Sequence, residues 1–189
     1  MDQGSRAGGG AIVQVAVNPV TPTLLNALAS SDGLFRSLDG GESWLPAAPH
    51  FFAVSRITVG ADGHTTYAAT PWHPVSQWRS DNNGASWQPI PIPGEHGSRK
   101  VYAHPTQPDT ALAVVDGSNG IHKSENRGED WVLVTEGITD APVTALGIDP
   151  LNPLAMALGT ANGNVFLPGD GGASWSLASQ APVGATGAE

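Results

Sequence analysis

The sequence contains no cysteine, which excludes disulfide scaffolds and thiolate metal sites. Basic residues are scarce: eight Lys and Arg stand against 17 Asp and Glu, for a net charge of −9. This balance disfavours nucleic-acid binding, because its affinity rests on basic contacts to phosphates. No stretch approaches the ~20 consecutive apolar residues that a membrane-spanning helix needs. Disulfide-rich, nucleic-acid-binding and membrane-spanning classes are therefore set aside.

The two ends of the sequence predict no folded structure. Residues 1–10 are polar and glycine-rich without an apolar core, so they do not resemble a secretory signal. We expect flexible segments over 1–10 and 181–189, on either side of one domain over 11–180. The default localisation is cytoplasmic, or exported if the sequence belongs to a longer protein. The six histidines show no metal-ligand spacing, and we expect neither a metal nor a cofactor.

Turn-forming residues are abundant, with 24 glycines and 16 prolines among 189 residues. Helix breakers at this density argue against a helical bundle. Hydrophobic residues make up 40% of the chain and charged residues 13%, which argues against disorder. Short strands joined by frequent turns satisfy both observations.

Four tryptophans recur at a nearly constant interval, at positions 44, 87, 131 and 175. The residues before them align as well, and we call each copy of this short motif a box. The shared box positions are Ser37, Asp39, Gly41 and Trp44; Ser80, Asn82, Gly84 and Trp87; Ser124, Asn126, Gly128 and Trp131; and Asp170, Gly172 and Trp175. Such a period of about 44 residues indicates a repeat architecture.

Each repeat divides into four short strands, which we letter A to D in chain order; each loop is named by the strands it joins. A four-stranded unit cannot bury both its faces alone, and radial stacking of units solves this. We therefore predict an all-β propeller of four four-stranded antiparallel blades, as a closed ring or half of a larger one. The expected blades span about 11–47, 52–90, 99–135 and 142–178. In three units strand A ends at Asn18-Pro19, His104-Pro105 and Asp149-Pro150.

The box residues have a physical logic. An Asp or Asn side chain accepts hydrogen bonds from nearby backbone N–H groups. The shared glycine suits a left-handed backbone, and the tryptophan offers a large apolar ring to bury between blades. Because Asn82 and Asn126 replace Asp, we expect the second and third boxes to be weaker. All four tryptophans are expected to be largely buried.

The motif Ser-x-Asp-x-Gly-x-Ser/Thr-Trp resembles the Asp-box, or bacterial neuraminidase repeat. The chain is similar over about residues 12–178 to a superfamily of sialidases, xyloglucanases, sortilin-type receptors and photosystem II assembly factors. The fourth unit is most similar to the xyloglucanase- and sortilin-like version. The resemblance implies a β-propeller and leaves the activity open. It also implies that the boxes are structural and that any chemistry occurs on the opposite face, formed by the B–C and D–A loops.

Two places on this loop face are candidate ligand-binding sites. Trp72 and His73 lie in the longest B–C loop, where an extra Trp is typical of binding hot spots or else plugs its own blade. Asp32 and Asp116 occupy the B–C turns of units one and three. Across a closed ring they would face each other like the paired carboxyls of a glycosidase, ~5–10 Å apart. An Asp before Gly is equally an ordinary hairpin turn.

The resemblance to sialidases is incomplete, because no arginine triad can be assembled: Arg36 and Arg79 lie in a strand C column and Arg127 inside a box. Our first hypothesis is a non-catalytic module that binds a protein or a glycan through the loop face. A fragment or relic of a glycoside hydrolase and a purely architectural scaffold are the alternatives. Two copies could also join as half-rings into an eight-bladed homodimer.

Overall fold

The computed structural model describes residues 10–30, 32–47, 54–70, 77–93 and 99–180. Every regular element among these residues is a β-strand. The strands form four sheets, and each sheet consists of four consecutive antiparallel strands. The predicted all-β class and the four four-stranded units are confirmed. The described residues form no helix that is long and apolar enough to cross a membrane.

The strands follow the predicted repeat. The first two blades contain β1 (Ile12–Val17), β2 (Leu25–Ala29), β3 (Gly33–Ser37) and β4 (Leu45–Pro46), then β5 (Arg56–Val59), β6 (Thr66–Ala69), β7 (Gln77–Ser80) and β8 (Gln88–Pro89). The last two contain β9 (Arg99–Ala103), β10 (Ala111–Val115), β11 (Ile121–Ser124) and β12 (Val132–Val134), then β13 (Val143–Ile148), β14 (Met156–Thr160), β15 (Asn164–Pro168) and β16 (Trp175–Gln180).

Neighbouring blades pack face to face, so a strand in an inner blade is covered on both sides. In β10, Ala111, Ala113 and Val115 pack against the second blade. The alternate residues Leu112 and Val114 pack against the fourth blade. Because successive side chains point to opposite faces, every residue of this strand is buried. The near-continuous apolar run of β10 thus reflects stacking on both faces.

Three hydrophobic cores hold the four blades in sequence. The first joins blades one and two through Leu28 and Ile57. The second joins blades two and three through Tyr67 and Val101. The third, between blades three and four, is built on Leu112, Phe166 and Trp175. Among the described residues no hydrophobic core joins the fourth blade to the first.

The box tryptophans are less uniformly buried than we expected. Trp175 is 4% exposed within the third core. Trp87 and Trp131 pack at their blade junctions but stay half-buried. Trp44 is half-buried too, and no preceding blade lies beside it. The expectation of four largely buried rings is thus met most fully at Trp175, while the other three stay partly exposed.

Candidate functional site

The first box is a closed set of hydrogen bonds between side chains and backbone. The Ser37 hydroxyl donates to Asp39 Oδ1 at 2.7 Å and accepts from the Gly41 backbone N–H at 2.8 Å. Asp39 Oδ1 also accepts from the Ser43 backbone N–H at 2.9 Å, and Oδ2 from the Ser43 hydroxyl. Gly41 has a φ of +97°, a left-handed backbone that glycine adopts without strain. Each polar side chain of the turn is thereby satisfied within the turn itself.

The second and third boxes keep this pattern despite their substitutions. Asn82 Oδ1 accepts from the Ser86 backbone N–H at 2.8 Å, while its Nδ2 donates to the Ser86 hydroxyl. In the third box Asn126 Nδ2 donates to Asp130 Oδ2 at 2.8 Å, so donor and acceptor are exchanged relative to the first box. The hydrogen bonds therefore give no support to the expected weakness of these two boxes.

The fourth box has fewer hydrogen bonds than the other three. Asp170 accepts from the Ser174 backbone N–H at 2.7 Å and from its hydroxyl at 3.1 Å. Pro168 stands where the other copies have serine, so the hydroxyl that binds the glycine N–H is missing. Only the Asp half of the motif is present in this copy.

A second repeated motif lies where strand A turns into strand B. Asn18 Oδ1 accepts from the backbone N–H groups two and three residues later, at 2.9 Å each. His104 Nδ1 and Asp149 Oδ1 accept from the same two positions in their blades. In the second blade Asp62 Oδ1 has this role, two residues further along than the sequence column. The Asn, His and Asp residues that precede proline at the end of strand A are thus turn caps. Sequence analysis missed Asp62, the cap of the second blade, because of this offset.

Two arginines join the second and third blades on this side, which we call the box face. Arg79 has a side chain 8% exposed and pairs with Asp81 at 3.0 Å. Its Nη1 donates to the backbone carbonyl of Arg127 at 2.8 Å. Arg127 in turn pairs with Asp109 at 2.6 Å. Both arginines are engaged in structural contacts, so the polar groups of the box face serve the fold.

A groove of about 400 Å³ opens between the third and fourth blades. Its lining consists of Lys123, Glu125, Asn126, Asp130, Val132, Val134 and Ala173. Val132 is 67% exposed and gives the groove an apolar wall. Lys123 Nζ lies 2.8 Å from Glu125, and its hydrogen bond and charge lower the pKa of that carboxyl. Sequence analysis missed this groove, although a strand D with exposed valines was a usable signal.

On the loop face, Asp140 organises the connection between the third and fourth blades. Its carboxylate accepts from the Thr160 hydroxyl, from Asn162 Nδ2 at 2.6 Å and from Asn164 Nδ2 at 2.9 Å. The hydrogen bond from Thr160 and those from the two amides lower the pKa of Asp140. The D–A segment is thus tied to the B–C turn of the next blade. Sequence analysis did not select Asp140, because it stands outside the repeat columns.

The pairing of Asp32 with Asp116 stays a prediction. Asp32 is exposed and accepts from the Gly10 backbone N–H at 2.9 Å. Asp116 is exposed on the B–C turn of the third blade, and no described contact links it to Asp32. The second blade lies between their blades. The pairing assumed a closed ring, which the three described cores do not form. Trp72 and His73 lie outside the described residues.

Five described carboxyl groups have a lowered pKa. Hydrogen bonds from Ser43 and Ser37 lower the pKa of Asp39 to about 2. The pKa values of Asp62, Glu125, Asp140 and Asp170 are also lowered. A glycosidase general acid needs a raised pKa to hold its proton near neutrality, and none of these five groups meets that need. Within the described part of the chain, no three His, Asp or Glu side chains cluster so as to hold a metal ion.

Solved structures resemble this chain closely in fold and weakly in sequence. An ancestral GH74 enzyme matches with a TM-score of 0.72 at 20% identity, over 93% of this chain and 25% of that chain. The GH74 xyloglucanase from Xanthomonas campestris matches with a TM-score of 0.64 at 17% identity, over 89% and 30%. YCF48 from Cyanidioschyzon merolae matches with a TM-score of 0.64 at 20% identity, over 92% and 57%. YCF48 is also known in a structure bound to D1 peptide.

At these identities the likeness shows the fold, and the prediction of a β-propeller is confirmed. The chain spans about a quarter of the ancestral GH74 enzyme and about half of YCF48. No protein-family model matches the chain, and no curated protein matches it either.

Proposed function

We propose that this chain is a non-catalytic Asp-box propeller module that binds a protein or a glycan through its loop face. The observation that carries the proposal is an exposed carboxyl group on the loop face that the fold does not use. On the box face, turn caps use their polar side chains on their own backbone in all four blades. On the loop face, Asp32 and Asp140 are also hydrogen-bonded, whereas Asp116 is exposed and no hydrogen bond or ion pair joins its side chain to another described residue.

The absence of catalysis is supported by the carboxyl groups. A glycosidase needs one proton donor and one base or nucleophile at a set separation. Asp32 and Asp116 are on different, non-adjacent blades. Asp140 has a lowered pKa and a filled hydrogen-bond shell. Asp32, Asp116 and Asp140 therefore give no support to an acid–base pair.

The choice of ligand class is supported by the neighbouring folds. One is a GH74 xyloglucanase, and another is YCF48, which has been solved bound to D1 peptide. Both are much longer than this chain, so the proposal names only the ligand classes. Trp72 and His73, adjacent in the sequence of the longest B–C loop, are residue types that suit either a sugar ring or a peptide side chain.

The test is a pair of binding screens with matched variants. The chain is applied to an array of glycans that includes xyloglucan oligosaccharides, and to an array of synthetic peptides. Any hit is then titrated by calorimetry. Trp72→Ala and Asp116→Ala on the loop face are expected to weaken binding at least tenfold, while Val132→Glu in the groove leaves it unchanged. The opposite pattern, or no hit on either array, overturns the proposal.

One observation favours a second function: the highest of the quoted TM-scores is to a GH74 enzyme. In that case the chain contributes blades to a glycoside hydrolase whose other catalytic loops lie elsewhere. The discriminating measurement is release of reducing sugar from xyloglucan by the purified chain. Under the binding proposal no release occurs, whereas release that Asp116→Asn abolishes would establish the hydrolase.

A further inference from the structure

The first blade presents a sheet face on which its outer strand, β1, is covered by no other described blade. Val15 and Val17 point to one side of β1 and are each 55% exposed. Phe35, on the same side of the sheet, is half-buried. A contiguous apolar face on a sheet marks a surface for association.

Comparison with the other blades shows what kind of surface this is. Strand A of each blade ends in a backbone hydrogen bond across the A–B turn, donated by Asn18, Gly60, His104 and Asp149. The residue three positions earlier faces the preceding blade in each case. These residues are Val15, Ile57, Val101 and Leu146, with exposures of 55%, 1%, 2% and 6%. Val15 thus occupies an interface position that no described blade covers.

The opposite end of the blade series carries the other half of such an interface. The residue two positions before each of these backbone donors points to the other side of strand A, toward the following blade. These residues are Ala16, Thr58, Tyr102 and Gly147. Ala16 and Tyr102 pack in the first and third cores, and the Thr58 hydroxyl donates to the carbonyl of Val101 at 3.3 Å. Gly147 is exposed, and a Cβ added there would meet nothing within 4 Å. Ala157 and Gly159 continue this surface of small residues.

The two end faces complement each other. One carries the branched Val15 and Val17, and the other presents Ala145, Gly147, Ala157 and Gly159, with Val165 opposite Gly159. None of these residues is charged. Branched side chains fill the space that small residues leave, which is how apolar junctions reach native packing density. The valines of the first blade therefore have a shape that the small residues of the fourth blade can accommodate.

We propose that a second copy of this chain seats its first blade on the fourth blade, with Val15 of one copy against Gly147 of the other. A two-fold axis makes both junctions at once and leaves neither end open. The resulting homodimer is an eight-bladed ring. This proposal is independent of what the loop face binds.

The test is the mass of the full chain by light scattering coupled to size exclusion at micromolar concentration. We expect twice the chain mass of 19.3 kDa. Val15→Glu and Gly147→Glu place a charge on opposite sides of the junction, at sites open in the single copy, so each is expected to return the mass to one chain. Leu151→Glu is the matched control, because Leu151 is 93% exposed in an A–B turn and lies on neither face.

A charge pair tests the pairing itself. In Val15→Lys with Gly147→Glu, each junction places a lysine opposite a carboxylate, and the doubled mass is expected to return. Far-UV circular dichroism checks that every variant keeps its strands. A wild-type mass of 19.3 kDa overturns the proposal. Loss of association in Val15→Glu but not in Gly147→Glu also overturns it, because the contact would then join two first blades.

Discussion

Leu146 of the fourth blade is 6% exposed, whereas its counterpart in the first blade, Val15, is 55% exposed. Both residues occupy the same register position of strand A and both are aliphatic. The difference arises because the third blade covers Leu146, whereas no other described blade covers Val15. The repeat therefore determines which surfaces are apolar, and the neighbouring blade determines which are buried.

The box tryptophans follow the same rule. Trp175 contacts a complete third blade and is 4% exposed, while Trp44 at the uncovered end is half-buried. The backbone around Trp175 is also held by its junction, since its N–H donates to the carbonyl of Glu136 at 3.0 Å. The covered and the uncovered end can thus be compared by equivalent substitutions.

The largest effect is expected at Gly137, which lies in the D–A segment over the covered junction. A Cβ there would lie 1.6 Å from the carbonyl oxygen of Trp175, so Gly137→Ala must displace β16. We expect a loss of more than about 4 kcal/mol in the free energy of unfolding, or failure to fold. Gly117→Ala is the control, because its φ of +81° is similar but nothing lies within 4 Å. It should cost about 1–2 kcal/mol. Equal losses in urea denaturation would contradict the role of the close contact.

The next largest effect compares the two tryptophans directly. Trp175→Ala removes a ring from a filled core and should cost about 3–5 kcal/mol. Trp44→Ala removes a half-buried ring and should cost less than about 2 kcal/mol. Both are measured by urea denaturation in the Gly147→Glu background, in which the proposed association is blocked. Similar costs for the two substitutions would show that Trp44 is covered in the single chain.

The four-blade fold was predictable from the sequence, whereas the burial of individual side chains was not, for a physical reason. The period of Trp44, Trp87, Trp131 and Trp175 predicted four antiparallel sheets, because the repeat carries both the turns and the apolar alternation. The exposure of Trp44 was not predictable, since burial depends on a neighbour outside the unit. The pairing of Asp32 with Asp116 stays a prediction for the same reason: it requires a ring geometry that no local pattern encodes.

The boxes show another limit of sequence reasoning. A substitution such as Asp130 for the usual serine looks like decay when each position is judged alone. With Asn126 it forms a donor–acceptor exchange that keeps the hydrogen bond at 2.8 Å. Pro168 looks like a minor change and removes a hydroxyl from the turn. The order of box strength therefore follows from pairs of side chains, which a column-by-column comparison does not see.

A smaller effect tests the order of box stability, by removing from the first box the serine hydroxyl that the fourth box lacks. Ser37 is 1% exposed, and its hydroxyl accepts from the Gly41 N–H at 2.8 Å. Ser37→Ala leaves that buried N–H without its acceptor and should cost about 1–3 kcal/mol in urea denaturation. Ser43→Ala, at an exposed position of the same turn, should cost less than about 1 kcal/mol. A larger loss for Ser43→Ala would show that the hydroxyl of Ser37 does not hold the turn.

The smallest effect concerns pH and distinguishes the first box from the second. Hydrogen bonds from Ser43 and Ser37 lower the pKa of Asp39 from 3.8 to about 2, whereas Asn82 in the second box carries no charge. Because the folded pKa of Asp39 is below its unfolded value, its contribution to stability is present above about pH 4 and is lost as pH falls through about 2. The Ser43 amide proton, which donates to Asp39 Oδ1 at 2.9 Å, reports this titration directly. Its NMR shift should move with a midpoint near pH 2, while that of the Ser86 amide, bonded to Asn82 Oδ1 at 2.8 Å, stays flat. Asp39→Asn reproduces the second box and should abolish the Ser43 titration, and Asn82→Asp should create one at Ser86. A Ser43 midpoint near 3.8 would mean that the hydrogen bonds of the first box do not favour its charged form.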